Sequence, residues 1–176
     1  MDVLKAIKSR RSVRAFTNQA VSEDEVEKLI DAARWAPSAG NIQPWAFIVV
    51  RDPKIKRGLC EAASNQTFIE KAPVVVVVCA DTQQSSQRYG SRGANLYCLQ
   101  DTAAATQNIL LAAQAMDLAT CWVGAFKEER AKEVLNTPSW LRPIAIIPIG
   151  HAAEEPRARP RKHLDEIIHR ETFRPK

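Results

Sequence analysis

The run PVVVVVCA, residues 73–80, decides the fold. Five consecutive valines carry no alternation of polar and apolar positions. Eight residues of that composition, bounded by Pro73 and Asp81, predict a β-strand with both faces buried. Two further runs read the same way: WAFIVV (45–50) and PIAIIPIG (143–150), with ATCWVGA (119–125) a short strand or extended turn. A strand buried on both faces needs a layer on each side, and the segments between the strands supply it. Ser22 and Glu25 form a capping box, and Val21 and Val26 are spaced for a hydrophobic staple. Val26, Leu29, Ile30 and Ala33 then share one helical face, and this helix ends before Pro37. VLKAIKS (3–9), DPKIKRGLCEAAS (52–64) and KEERAKEVL (127–135) also read as helices, the second with Pro53 in its first turn. Residues 96–116 are the longest helical pattern, with Leu99, Ala103, Thr106, Leu110 and Ala113 at spacings of three and four. Gln100, Gln107 and Gln114 mark a polar line along it that suits a second subunit or a wet edge. DTQQSSQRYGSRG (81–93) reads as a polar loop and, within 82–95, a modest candidate lid. Helices alternating with few, buried strands give an α/β or α+β domain with both faces of the sheet covered.

The chain has 176 residues, 45% of them hydrophobic, which suits one globular domain over 1–176. Net charge is +5, and the excess sits at the ends. Residues 1–14 carry five Lys/Arg against one acid, and residues 142–176 carry eight against five. Aromatic residues make up only 6% and do not interleave with the basic ones, which argues against nucleic acid. Cys60, Cys79, Cys98 and Cys121 are widely spaced with no CxxC pair, and no apolar leader opens the chain. Free thiols and a cytoplasmic location are the expectation. No apolar run is long enough to cross a bilayer.

SRRSVRAF (9–16) packs Arg10, Arg11 and Arg14 around Ser12. If the first helix continues, Arg10 and Arg14 lie one turn apart and all three reach one small volume. Either an anion sits there, or the cations face a helix C-terminus or water. The tail from His151 is proline-rich and basic. It still carries Leu164, Ile167, Ile168 and Phe173, so residues 152–176 are expected to pack on something, a partner subunit first.

No GxGxxG or Walker loop, no metal-spaced Cys/His cluster and no GxSxG elbow occurs. An anion site without a glycine cradle and without an evident reactive side chain suggests chemistry carried by a cofactor. Arginines suit a phosphate monoester, and flavin mononucleotide (FMN) is such a monoester attached to a redox ring.

RRSVRAF, APSAGNIQPWAFIVV, ATCWVGAF and IPIGH…PRARPRKHLDEI occur in the order and spacing of the nitroreductase family of FMN-dependent oxidoreductases. The resemblance runs from Ile7 to about Ile168. It implies an α+β fold with a mostly antiparallel or mixed central sheet, a homodimer, and FMN at the subunit interface. It also implies that Arg10, Arg11, Ser12 and Arg14 hold the FMN phosphate and ribityl chain, joined by Arg159 and Arg161. Pro37, Ser38, Asn41 and Gln43 resemble the loop that the partner lays against the flavin. Asn65 resembles an amide on the pyrimidine edge of the ring, unless it only ends a helix. Trp122, Val123 and Gly124 resemble the segment beside the ring, with backbone near Gly124 donating toward N5. The implied activity is hydride transfer from NADH or NADPH through the flavin to a nitroaromatic, quinone or similar acceptor. No protein side chain is catalytic and no metal is involved. Alternatives are a flavin-storage protein and a specialised relative that cleaves flavin or removes halogen. Ala20, Asp117, Ala119 and His163 depart from the family pattern, which commonly has proline at the first and last and glycine at the middle two.

Overall fold

The computed structural model describes residues 1–173. Its centre is the valine run. Strand β2 (Val74–Asp81) pairs antiparallel with β1 (Trp45–Val50) on one side and β4 (Leu141–Gly150) on the other. The two-residue strand β3 (Ala119–Thr120) pairs antiparallel with the end of β4, so the sheet order is β1-β2-β4-β3. Ladder register slips between Val78 and Cys79, where Pro143 of β4, which has no N–H, stands opposite Cys79.

Alternate valines serve two cores. Val74, Val76 and Val78 pack with Leu29 of α2 (Glu23–Arg34) and with Ile109 and Leu110 of α6 (Cys98–Ala115). Val75, Val77 and Cys79 pack with Leu59 of α3 (Pro53–Ala62), Ile69 of α4 (Phe68–Lys71) and Ala131 of α7 (Glu128–Leu135). Every residue from Val74 to Ala80 is fully buried, as a strand covered on both faces must be. Replacing such a side chain by alanine typically costs about 2–5 kcal/mol.

Local signals act where the sequence places them. Ser22 caps α2 through the reciprocal bonds with Glu25, and Val21 and Val26 are buried together. Asp52 caps α3, with Pro53 in its first turn. Two expectations are corrected. The expected loop after β2 is a helix, α5 (Thr82–Arg92), capped by Asp81 and followed by a π-turn over Gly93–Tyr97. Its polar composition hid it, because a helix with one buried side chain, Ser85, shows no apolar period. The buried stripe of α6 runs through Cys98, Asp101, Thr102, Ala105, Thr106, Ile109, Leu110 and Ala113. Leu99 and Ala103 lie beside it, half-buried.

The first helix, α1 (Val3–Ser9), stops at Arg10. Val3, Leu4 and Ile7 stay at least half exposed on it. In the tail, Leu164, Ile167, Ile168 and Phe173 are also exposed, three of them on or beside the short helix α8 (Leu164–Ile167). Among the described residues the tail therefore leaves these apolar side chains exposed.

Candidate functional site

The arginines meet, but not by the expected route. The helix does not continue past Ser9. Arg10 is extended, Ser12 makes a parallel bridge to Thr120, and the N–H of Val13 donates to the Thr120 carbonyl at 3.0 Å. The extended segment bridges β3 at this one point, and Val13 goes into the core. Arg11 turns back and donates to the carbonyls of Lys8 (2.7 Å) and Arg10 (2.8 Å), covering the C-terminal end of α1. One nitrogen of Arg11 is thus used at the helix end, while the residue also lines the cavity described next. The N–H of Arg14 donates to Glu154 at 2.7 Å, and its guanidinium lies 5.8 Å above the Phe68 ring.

Around these residues lies a cavity of about 360 Å³. It is lined by Arg10, Arg11, Ser12, Arg14, Pro156, Arg157, Arg159 and Arg161. Arg161 is steadied by the carbonyls of Arg159 and Pro160. None of the six guanidiniums is in an ion pair among the described residues, and no carboxylate lines the cavity. Arg157 completes the set and was not singled out in the sequence. The alternation RARPR, which sends every second side chain of an extended tail the same way, was the signal for it.

Arg14 also leads to the second group. Phe68 follows the turn that carries Asn65, exposed and left-handed at φ 59°, with its N–H on the Cys60 carbonyl. Asn65 therefore does end a helix, and its side-chain amide makes no hydrogen bond among the described residues. Two bonds tie this turn to the segment after β3: Lys127 N–H to the Ala62 carbonyl (2.8 Å) and the Gln66 amide to the Ala125 carbonyl (3.4 Å). In that segment Val123 is buried and exchanges both backbone bonds with Ile146. Trp122 is partly exposed, and Gly124 is exposed with no partner for its N–H among the described residues. Asp117 adopts φ 57°, which accounts for the glycine expected there, while Ala119 sits buried in β3 at ordinary φ.

The third group lies elsewhere. Residues 38–43 form a tight loop before β1 in which Gly40 (φ 56°), Asn41 (φ 55°) and Gln43 (φ 57°) are left-handed. Ser38 Oγ accepts from Gln43 N–H at 3.0 Å, and Asn41 accepts from the Gln43 amide at 3.3 Å. Three bonds from α5 and α6 hold the loop from outside. Asp101 Oδ1 accepts from Ala39 N–H (3.1 Å), Arg88 donates to the Gly40 carbonyl (3.2 Å), and Gln84 donates to the Ile42 carbonyl (3.2 Å). Asp101 is buried, its Oδ2 has no partner among the described residues, and burial holds its carboxyl above the usual range. The sequence signal for it is a lone acid on the apolar stripe of α6.

The cysteines are not poised as nucleophiles. All four are free and buried, and burial pushes each thiol up, Cys79 to about 12. A thiol so raised is no nucleophile near neutral pH. Among the described residues no cluster of His, Cys, Asp and Glu could hold a metal, and no helix is long and apolar enough to cross a membrane.

Comparison with known proteins gives the same family as the motifs. The family model described as "Nitroreductase family" matches residues 7–68 and 60–151. The chain belongs to the nitroreductase family. A relative from Archaeoglobus fulgidus, provisionally named NADH dehydrogenase/NAD(P)H nitroreductase, is 37% identical over 158 residues, 88% of this chain and 87% of its own. FMN reductase (NADPH) of Bacillus subtilis is 31% identical over 185 residues, 98% of this chain and 74% of its own. The solved NfrA1 nitroreductase of B. subtilis superposes with a TM-score of 0.90 at 30% identity, covering 97% of this chain and 74% of that one.

In this nitroreductase chain the expected site residues fall into two sets. The arginine cavity adjoins β3 and the Gly150 end of β4. The 38–43 loop enters β1, at the opposite edge, where Trp45 is level with Ala80 and Arg142. Three strand spacings across and eight residues along put these corners on the order of 30 Å apart.

Proposed function

We propose that the protein is an FMN-dependent oxidoreductase that moves hydride from NADH or NADPH to a nitroaromatic, quinone or similar acceptor. One observation carries this reading: six guanidiniums with no ion-pair partner among the described residues line one cavity, and no carboxylate lines it with them. Such a set suits a phosphate monoester dianion, which each guanidinium can engage bidentately. When bound there, FMN supplies reversible hydride acceptance at its ring. Arg10, Arg11, Ser12, Arg14, Arg157, Arg159 and Arg161 hold the phosphate and ribityl end. Asn65 presents an amide, donor and acceptor together, to the pyrimidine edge. Trp122 and Val123 flank the ring, and Gly124 offers an unused N–H with no side chain in the way. The reaction requires no acid or base side chain, since solvent can supply the protons.

The diagonal separation of the two residue sets supports a composite site. One chain supplies the arginine corner, and a second copy lays Pro37, Ser38, Asn41 and Gln43 against the same flavin. The exposed tail residues Leu164, Ile167, Ile168 and Phe173 pack on that second copy. The homologues named for NAD(P)H and FMN chemistry support the same reading.

The test is spectroscopic. Protein purified with FMN should be yellow, and anaerobic NADH or NADPH should bleach it until quinone is added. A colourless protein that takes up no FMN would refute the proposal. A yellow one that neither nucleotide bleaches would mark a flavin carrier.

A further inference from the structure

Between Asp81 and Asp101 the chain has no acidic residue and two arginines, Arg88 and Arg92. The backbone there is irregular three times over. Gly90 breaks α5 at φ 55°, ψ −143°, a conformation that essentially only glycine takes. Gly93 packs against the Ser85 carbonyl so closely that a Cβ would collide with main chain. Gly93–Tyr97 then form a π-turn, a feature frequent at functional sites. Together these fold Tyr97 back against Tyr89, with ring centroids 5.2 Å apart and planes at 87°. Arg92 lies 5.2 Å over Tyr97 and donates from Nε to its hydroxyl at 2.9 Å. Arg88 lies 5.5 Å over Tyr89 and donates to the Gly40 carbonyl. Both arginines are exposed, and neither has an acidic partner among the described residues.

Two guanidiniums are thus held in place by aromatic rings and left without an anion. Stacking on a ring leaves outward N–H groups free for a phosphate and lowers the entropy cost of ordering the side chain. The cluster borders Gly40, in the loop assigned above to the flavin of a second copy. We propose that Arg88 and Arg92 bind the phosphate groups of the adenine dinucleotide donor, so that its nicotinamide end is directed to the flavin beside that loop. A quinone carries no such anion, whereas NADH and NADPH both do. An exposed site also suits a ligand that must leave on every cycle, since solvent screening keeps its affinity modest. The link to hydride transfer rests on the proposed function; the phosphate site itself does not.

The test uses Arg92→Gln in the full-length FMN-loaded protein, with Arg92→Lys as the conservative variant. KM and kcat are measured for NADPH and NADH, and calorimetry follows the binding of adenosine diphosphate and adenosine 2′,5′-bisphosphate. Arg92→Gln should raise KM and the matching Kd roughly ten-fold or more, with kcat and FMN content unchanged, and lysine should restore part of the loss. A change confined to NADPH and the 2′,5′-bisphosphate identifies the 2′-phosphate as the group held. Equal changes for both donors identify the pyrophosphate. Unchanged KM and Kd in a yellow, bleachable protein would overturn the phosphate site and leave the flavin reading intact. Phosphate binding that depends on Arg92 in a protein without flavin would do the reverse.

Discussion

At one corner of the sheet, six guanidiniums surround a cavity without a counter-ion. At the diagonal corner, residues 38–43 have the Ala39 N–H and the Gly40 and Ile42 carbonyls already bonded by Asp101, Arg88 and Gln84. The first corner is electrostatically incomplete. Its cations repel one another, and an arriving dianion relieves that repulsion as well as forming bonds. The second corner is finished before any ligand arrives, because a loop with three left-handed residues keeps its shape only when its surroundings over-determine it. On the proposed reading, affinity and positioning are built at separate places. The arginine corner should govern how tightly FMN binds, and the loop corner how productively it is used.

The largest expected effect breaks the first corner. Arg14→Ala with Arg159→Ala should weaken FMN binding by two orders of magnitude or more, at roughly 1.5–3 kcal/mol per charged contact. A fluorescence titration reads this directly, and a change below three-fold would mean the cluster does not hold the phosphate. Gly40→Ala strikes the second corner. Its Cβ would lie 2.5 Å from the Tyr89 hydroxyl at φ 56°, so stability should fall by about 1–3 kcal/mol in urea unfolding. FMN affinity should move far less than the rate of bleaching by NADPH; the reverse order would merge the two corners.

Asp101→Asn gives a smaller effect with a defined pH dependence. Burial raises the Asp101 carboxyl, so the folded chain keeps a proton that the unfolded chain has already released. This begins as pH rises above the ordinary aspartate value and ends above the raised folded value. Parent stability falls across that window. Asparagine can still accept from Ala39 N–H but cannot ionise. The stability of Asp101→Asn relative to the parent should therefore improve through the window and level off above it. Urea midpoints at several pH values test this, and a pH-independent difference would remove Asp101 from the account. The smallest effect sharpens the first corner again. Inorganic phosphate should raise the Tm of the flavin-free protein by about 2–4 °C, and Arg14→Ala with Arg159→Ala should abolish the rise.

The first corner was legible in the sequence and the second was not, for a physical reason. Charge is written in residue identity, so RRSVR and RPR could be matched across the chain even though the helix assumed to join Arg10 to Arg14 ends at Ser9. The β2 valines were equally plain, because a fully buried strand has one compositional solution. The loop corner depends on backbone bonds to Asp101, Arg88 and Gln84, and backbone groups carry no sequence label. Helix α5, which supplies two of those bonds, is specified by the Asp81 cap and by packing on the Gly93–Tyr97 turn instead of by an apolar period. The exposed apolar residues of α1 and α8 were legible as surplus, and nothing among the described residues covers them.

The central claim, that one flavin is held by the arginine corner of one copy and the loop of another, is tested most directly by complementation. Arg14→Ala with Arg159→Ala breaks one corner, and Gly40→Ala with Asn41→Ala breaks the other. Each variant alone should turn over poorly. Unfolded together in equal amounts and refolded, half of the dimers should be mixed, and each mixed dimer has one site made of two intact corners. Activity should return to about a quarter of the parent value. A mixture no more active than the average of its two components would place both corners in one chain and contradict the account.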